Sequence, residues 1–212
     1  MALTHCIFLE LHLPAAQLPA AHAALQALGA QSAWPLRTER LAYRAAEQLF
    51  FAYLRLDQAQ DMAAADMHGL QAAWSRLAPG LPAVQASRLE QGLSVAGHDS
   101  GQPPLHHYVV ETDPAPVWFE EILRWYDQEH MPGLSGVPGC TLAQRFINHD
   151  AGPCSHACYS LLTEDTLGSP PWMAVRNSDW SSRCRPHFTN TRRTMMAVWP
   201  APAMYEAGEA GG

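Results

Sequence analysis

The chain has 212 residues, 48% apolar and 16% charged, with a formal net charge of −7. That length fits one large domain or two small ones, and the composition is that of a chain able to bury a core. All 13 basic residues are arginines. Without a lysine there is no Schiff base, no pyridoxal phosphate anchor and no P-loop lysine, and the acidic balance argues against a nucleic-acid binder.

The opening MALTHCIFLELHLP lacks a basic leader and a small-residue cleavage site, and Glu10 and His12 interrupt its apolar run. It reads as a strand, not a signal peptide. No run approaches the ~18–20 apolar residues of a membrane helix, so the expected location is cytoplasmic, with no membrane partner. Next come an alanine-rich helix, AQLPAAHAALQALGA, expected to stop at Gly29, and the strands LRTERLAYR and QLFFAYLRL with a turn near Glu47. A helix is expected from about Asp57 to Ala78, on the recurrence of Met62, Asp66, Leu70, Ala73 and Leu77. The strand VQASRLEQGL completes a βαββαβ order.

Residues 96–104, AGHDSGQPP, read as a boundary. Beyond it the same order recurs: strand LHHYVVET, helix PVWFEEILRWYDQEHM, strands CTLAQRFIN and HACYSLLT, a helix from about Pro171, and strand RTMMAVW. Pro116 and Pro171 stand where a helix would begin and a missing N–H is harmless. The expected fold class is α+β, two tandem ferredoxin-like repeats over residues 1–95 and 105–199. Residues 200–212, rich in Pro, Ala and Gly, are expected to form a flexible tail. Each sheet needs a cover for the face its helices leave open. The economical arrangement packs the two sheets together and encloses a cavity between the repeats. A further pairing into a homodimer is also expected.

The run Trp125-Tyr126-Asp127-Gln128-Glu129-His130-Met131-Pro132, then Val137-Pro138-Gly139 and a strand with Arg145-Phe146, resembles a signature of the dimeric α/β-barrel superfamily, specifically its EthD-like members. The segment from Ser169-Pro170 to His187-Phe188 is similar to the later part of those proteins. The resemblance covers residues 105–199 and implies that the two repeats form an intramolecular dimeric α/β-barrel. It also implies a spread of activities: cofactorless monooxygenases, isomerases, cyclases, dehydratases, heme-binding oxygenases and stress-response proteins. Membership of such a group does not fix chemistry.

Candidate chemistry centres on the helix before Pro132. Phe119, Leu123, Tyr126 and His130 fall on one line, and Trp118, Ile122 and Trp125 on the next. His130 and Tyr126 are i, i+4 neighbours and Asp127 is i, i+3 from the histidine, so an imidazole, a phenol and a carboxylate can meet. The helix C-terminus and Asp127 or Glu129 would favour the imidazolium. His130 is then a general acid or base with Tyr126 as second donor and Asp127 as orienting group, or else it merely caps the last turn.

Arg145 shares a strand face with Ala143 and Ile147 and needs an anion, either a substrate carboxylate or enolate or an internal partner such as Asp127 or Glu129. Arg176, Arg183, Arg185, Arg192 and Arg193 make a positive island beside Trp180 and His187. It either steers an anionic molecule to a cavity or pairs with surface acids. Substrate-binding candidates are Arg145, His187, Arg185 and Trp125.

Cys154, His156 and Cys158 alternate on one strand face, but such side chains stand roughly 6.5–7 Å apart, too far to close on one ion with bonds of about 2.0–2.3 Å. Five scattered cysteines read as reduced thiols. His130, His107 or His187 could ligate a heme, yet no attachment motif exists. The expectation is an enzyme without cofactor or metal, doing acid/base chemistry as an isomerase, cyclase, dehydratase or lyase on a small aromatic or lactone-type, anionic metabolite. The alternatives are a non-catalytic binding or stress-response protein and a cofactorless or heme-dependent monooxygenase.

Overall fold

A computed structural model describes residues 1–201. The chain runs β1 (Ala2–His12), α1 (Leu18–Gln31), β2 (Leu36–Arg44), β3 (Leu49–Met62), α2 (Ala64–Leu77) and β4 (Gln85–Ala96). It continues with β5 (His106–Pro114), α3 (Phe119–Trp125), a π turn (Tyr126–His130), α4 (Met131–Ser135), β6 (Cys140–Asn148), β7 (Ser155–Leu161), α5 (Pro170–Arg176), α6 (Asp179–Cys184) and β8 (Phe188–Val198). The expected α+β class and the tandem βαββαβ order are both present. Most of the expected tail lies outside the described residues.

The chain divides into two compact units, Met1–Gln91 with Ile147–Gly152, and Gly92–Phe146 with the described residues from Pro153 on. The short segment joins the first unit through Arg88. Its Nε and Nη2 donate to the two oxygens of Asp150, both at 2.9 Å, and its carbonyl accepts from His149 N at 3.1 Å.

In the first unit the strand order is β4-β1-β3-β2, all antiparallel. Cys6, Ile7, Phe8 and Leu9 are all buried, so β1 is covered on both faces. Two boundaries differ from expectation. Residues 57–62 belong to β3, because β1 is long enough to pair with them: Ala2 faces Met62 and Leu3 faces Asp61. The helix waits until Asp66 can accept from Ala63 N at 2.7 Å, and its buried stripe is Met67, Leu70 and Trp74. Helix α1 runs two residues past Gly29. Gly29 is there for clearance, since a Cβ would meet the Leu36 carbonyl at 3.3 Å.

In the second unit the order is β8-β5-β7-β6. One core gathers Tyr108, Ile122, Trp125, Tyr126, Leu134, Tyr159 and Trp172. Serines begin the last two helices: Ser169 accepts from Trp172 N at 3.4 Å and Ser178 from Ser181 N at 3.1 Å, the preferred residue type for that task. Among the described residues no helix is long and apolar enough to cross a membrane.

Candidate functional site

The second unit contains a hollow of about 60 Å³ between its own sheet and its own helices. This is not the expected space between the two repeats. The sheet supplies Tyr108 and Val110 from β5, Tyr159 from β7 and Arg193 from β8. Tyr108 stands opposite Tyr159, and Val110 opposite Arg193, so alternation aims all four at one face. The helices supply Trp125, Tyr126, His130 and Leu134, then Trp172 and Arg176 from α5, and Arg185 from the turn after α6.

The π turn decides how the histidine points. Met131 N bonds to the Tyr126 carbonyl, five residues back, which widens the helix by one residue. It falls directly before Pro132, which has no N–H for the Gln128 carbonyl and whose ring would press on it. The consequence is a changed neighbour. His130 stacks on Trp125, five residues earlier, with centroids 4.2 Å apart and planes at 25°. Tyr126 meets the imidazole edge to face at 5.7 Å.

The expected imidazolium is corrected by the surroundings. His130 is buried and its pKa falls to about 3, first because burial penalises the charged form and then because Arg185 and Arg176 are nearby. Among the described residues no carboxylate opposes this. Asp127 turns away to Arg145, accepting from Nε at 2.9 Å and Nη2 at 3.0 Å, and Glu129 accepts from the Ser178 hydroxyl. Asp127 therefore does not orient the histidine. His130 Nδ1 is fully buried without a hydrogen bond, as is Trp125 Nε1. His130 Nε2 is not among these sealed atoms, and with the residue 9% exposed it is the nitrogen through which the ring can act. Burial pushes the Tyr126 phenol well above its usual range, so it stays a donor. Tyr159 donates to Met131 Sδ at 3.1 Å.

Arg145 takes the second of its two expected roles, an internal ion pair with its side chain 5% exposed. Gly92 makes this possible, because a Cβ there would stand 2.4 Å from Nη2. Of the other candidates, Arg185 and Trp125 line the hollow. His187 does not: it lies flat on Trp118, centroids 3.7 Å apart. His156 and Cys158 occupy the opposite sheet face, where His156 Nε2 is 3.7 Å from the buried Glu111. Among the described residues no three His, Cys, Asp or Glu side chains converge as a metal site. A hollow of about 60 Å³ is far below the ~300–1,000 Å³ of pockets that enclose drug-sized ligands, so a heme on His130 does not fit.

Sequence reasoning placed Arg176 and Arg193 in the positive island without assigning them to the site. The signal was available in the pair Arg192-Arg193, since consecutive strand residues go to opposite faces. Arg192 bonds Glu111 at 2.6 and 2.7 Å on one side, which leaves Arg193 for the other. Tyr108, Tyr159 and Trp172 carried no local signal beyond ordinary core composition.

No family model and no curated protein sequence matches the chain. Several solved structures are similar in fold. An anthrone oxidase-like protein aligns over 92% of this chain and 91% of its own, at 11% identity and a TM-score of 0.60. A protein from Lactobacillus acidophilus NCFM with a provisional monooxygenase assignment aligns over 92% and 93%, at 9% identity and 0.58. A mutant chlorite dismutase from Candidatus Nitrospira defluvii, in complex with cyanide, aligns over 93% and 92%, at 10% identity and 0.58. At these identities the likeness is one of fold. The chain has the tandem ferredoxin-like architecture of the dimeric α/β-barrel proteins.

Proposed function

We propose that this chain, built on the dimeric α/β-barrel fold, is an enzyme that moves a proton on a small organic substrate whose reacting end enters the hollow of the second repeat. The observation that carries the reading is the imidazole of His130, neutral, with Nδ1 buried and without a hydrogen bond, and with no acid among the described residues that line its hollow. In water that state would be trivial; inside a core it leaves a polar group unsatisfied, which folded proteins rarely tolerate without a use for it.

The chemistry follows from the groups present. A substrate carbon bearing an acidic hydrogen beside a carbonyl gives its proton to His130 Nε2, the C–H electron pair becomes the C=C bond of an enolate, and the carbonyl π pair moves onto oxygen. The Tyr126 hydroxyl donates a hydrogen bond to that oxygen as charge develops. Return of the proton to a different carbon completes an isomerisation. Departure of a leaving group with the proton completes an elimination. An engineered apolar cavity that accepts benzene measures about 150 Å³, more than twice this hollow, so an aromatic ring would rest at the mouth while only the reacting atoms enter.

Deuterium exchange tests the reading without knowledge of the product. A panel of small carbonyl acids, ketones and lactones incubated with the protein in D2O is followed by NMR. Exchange at one C–H position that vanishes in His130→Phe and slows in Tyr126→Phe is the expected result. Equal exchange by wild type and His130→Phe, or a compound that binds and never exchanges, would replace the enzyme reading with that of a binding protein.

A further inference from the structure

Five arginines lie between residues 176 and 193, and the structure sorts them. Arg183 does not line the hollow and Arg192 is paired with Glu111. Arg176, Arg185 and Arg193 line one hollow from three separate elements, the end of α5, the turn after α6, and β8, the first two half-buried and Arg193 exposed at its rim. Among the described residues, Arg176 and Arg193 make no side-chain hydrogen bond or ion pair. Arg185 finds only the Arg176 carbonyl, at 3.2 Å, and no carboxylate lines the opening.

Three guanidinium groups gathered with no counter-charge among the described residues repel one another. Arg185 is held below its ordinary range by burial and then by Arg176 and Arg193. The chain has a net excess of acids, yet among the described residues none lines this hollow. Beneath the arginines lie two further unpartnered polar groups, His130 and Trp125 Nε1, both nine-tenths buried or more.

We propose that Arg176, Arg185 and Arg193 form an oxyanion subsite that holds the carboxylate of a small organic acid at the mouth of the hollow. The guanidinium fork matches a carboxylate in two-pronged fashion. Carboxylate at the rim directs the adjoining carbon inwards, so the subsite selects the substrate class for the proton transfer proposed above, and it rests on that reading for the direction of the bound molecule alone. A bound anion also offsets the field of Arg185 and Arg176 at His130, the lesser of the two causes that disfavour its protonation, after burial.

Calorimetric titration of the full chain with malonate and, separately, with inorganic phosphate at neutral pH and low salt tests the subsite. Malonate is expected to bind wild type saturably, to bind His130→Phe equally well, and to lose at least roughly tenfold in affinity in the double variant Arg176→Gln/Arg193→Gln, the effect of one charge-assisted contact or more. Free of ligand, that double variant is expected to melt no lower than wild type, since it loses only repulsion. Equal malonate affinity in wild type and double variant, or no saturable binding of either anion, overturns the subsite. Tighter binding of phosphate than of malonate overturns the carboxylate assignment in favour of a phosphoryl group. Malonate binding that depends on the arginines, in a protein that exchanges no C–H proton, supports the subsite and sinks the acid/base reading instead.

Discussion

Replacing His130 with phenylalanine should flatten the dependence of stability on pH. In the unfolded chain this histidine binds a proton near pH 6.5, whereas in the folded protein it resists until about pH 3. Between those values the unfolded state carries the extra proton, so stability falls as pH falls, by about 1.4 kcal/mol for each pH unit. The contribution is complete above pH 6.5 and is lost progressively down to pH 3. From pH 7 to pH 5 the loss owed to this residue is about 2 kcal/mol. For a chain of this length that is roughly 4–8 °C in melting temperature. Urea unfolding of wild type and His130→Phe at both pH values isolates it, because every other titrating group cancels in the difference. The variant keeps an aromatic ring against Trp125 and loses a buried nitrogen without a partner, so it should fold. Parallel stability changes in the two proteins would mean that the imidazole titrates normally, and the account of a neutral ring in an arginine-flanked hollow would fail.

Removing the Asp127 carboxylate as Asp127→Ala strands the guanidinium of Arg145 in the core and should destabilise by about 3 kcal/mol, the low end for a broken buried pair because Asp127 is partly exposed. The double variant Asp127→Leu/Arg145→Met should recover most of that loss in the same denaturant titration, and a loss as large as in the single variant would argue against an uncompensated charge as its cause. Gly92→Ala places a methyl group 2.4 Å from Arg145 Nη2, whose head cannot move while Asp127 holds it, so a loss of about 2 kcal/mol is expected; wild-type stability would show that the guanidinium has room to spare. Cys6, Cys140, Cys158 and Cys184 are buried, and burial pushes the thiols of Cys140 and Cys154 up to about 11. Ellman's reagent at pH 8 should therefore react slowly with the folded protein and rapidly with all five thiols in denaturant; rapid reaction of several thiols in the native protein would contradict the packing.

Much of the architecture could be read from the chain because it rests on periodicity. The alternation in β1 and β5 and the order of elements within each repeat are local properties, and they lead to two ferredoxin-like units. Boundaries went astray where a partner overrode local preference. Residues 57–62 have a helical pattern of their own, but β1 offered a full ladder and took them. The site was only half legible. Tyr126, His130, Trp125 and Arg185 do meet around one hollow, and the helical wheel correctly put the first two on a buried side. What a wheel of 3.6 residues cannot show is an extra residue in the turn, and that residue set the imidazole against Trp125 and left Asp127 to Arg145. The size of the hollow and the absence of acids from its lining among the described residues depend on elements distant in sequence, which no window on the chain could combine.

The widened turn ahead of Pro132 carries one consequence for how this helix tolerates change. The same residues wound as a regular α-helix would give the Tyr126 carbonyl to His130 N, four places on, instead of to Met131 N. Each residue of an α-helix advances the azimuth by about 100°, so over five residues that tidier coil would carry Trp125 to about 140° from His130, and the imidazole would lose its flat neighbour. Regularity and aim are in opposition at this point, and the protein has kept the aim.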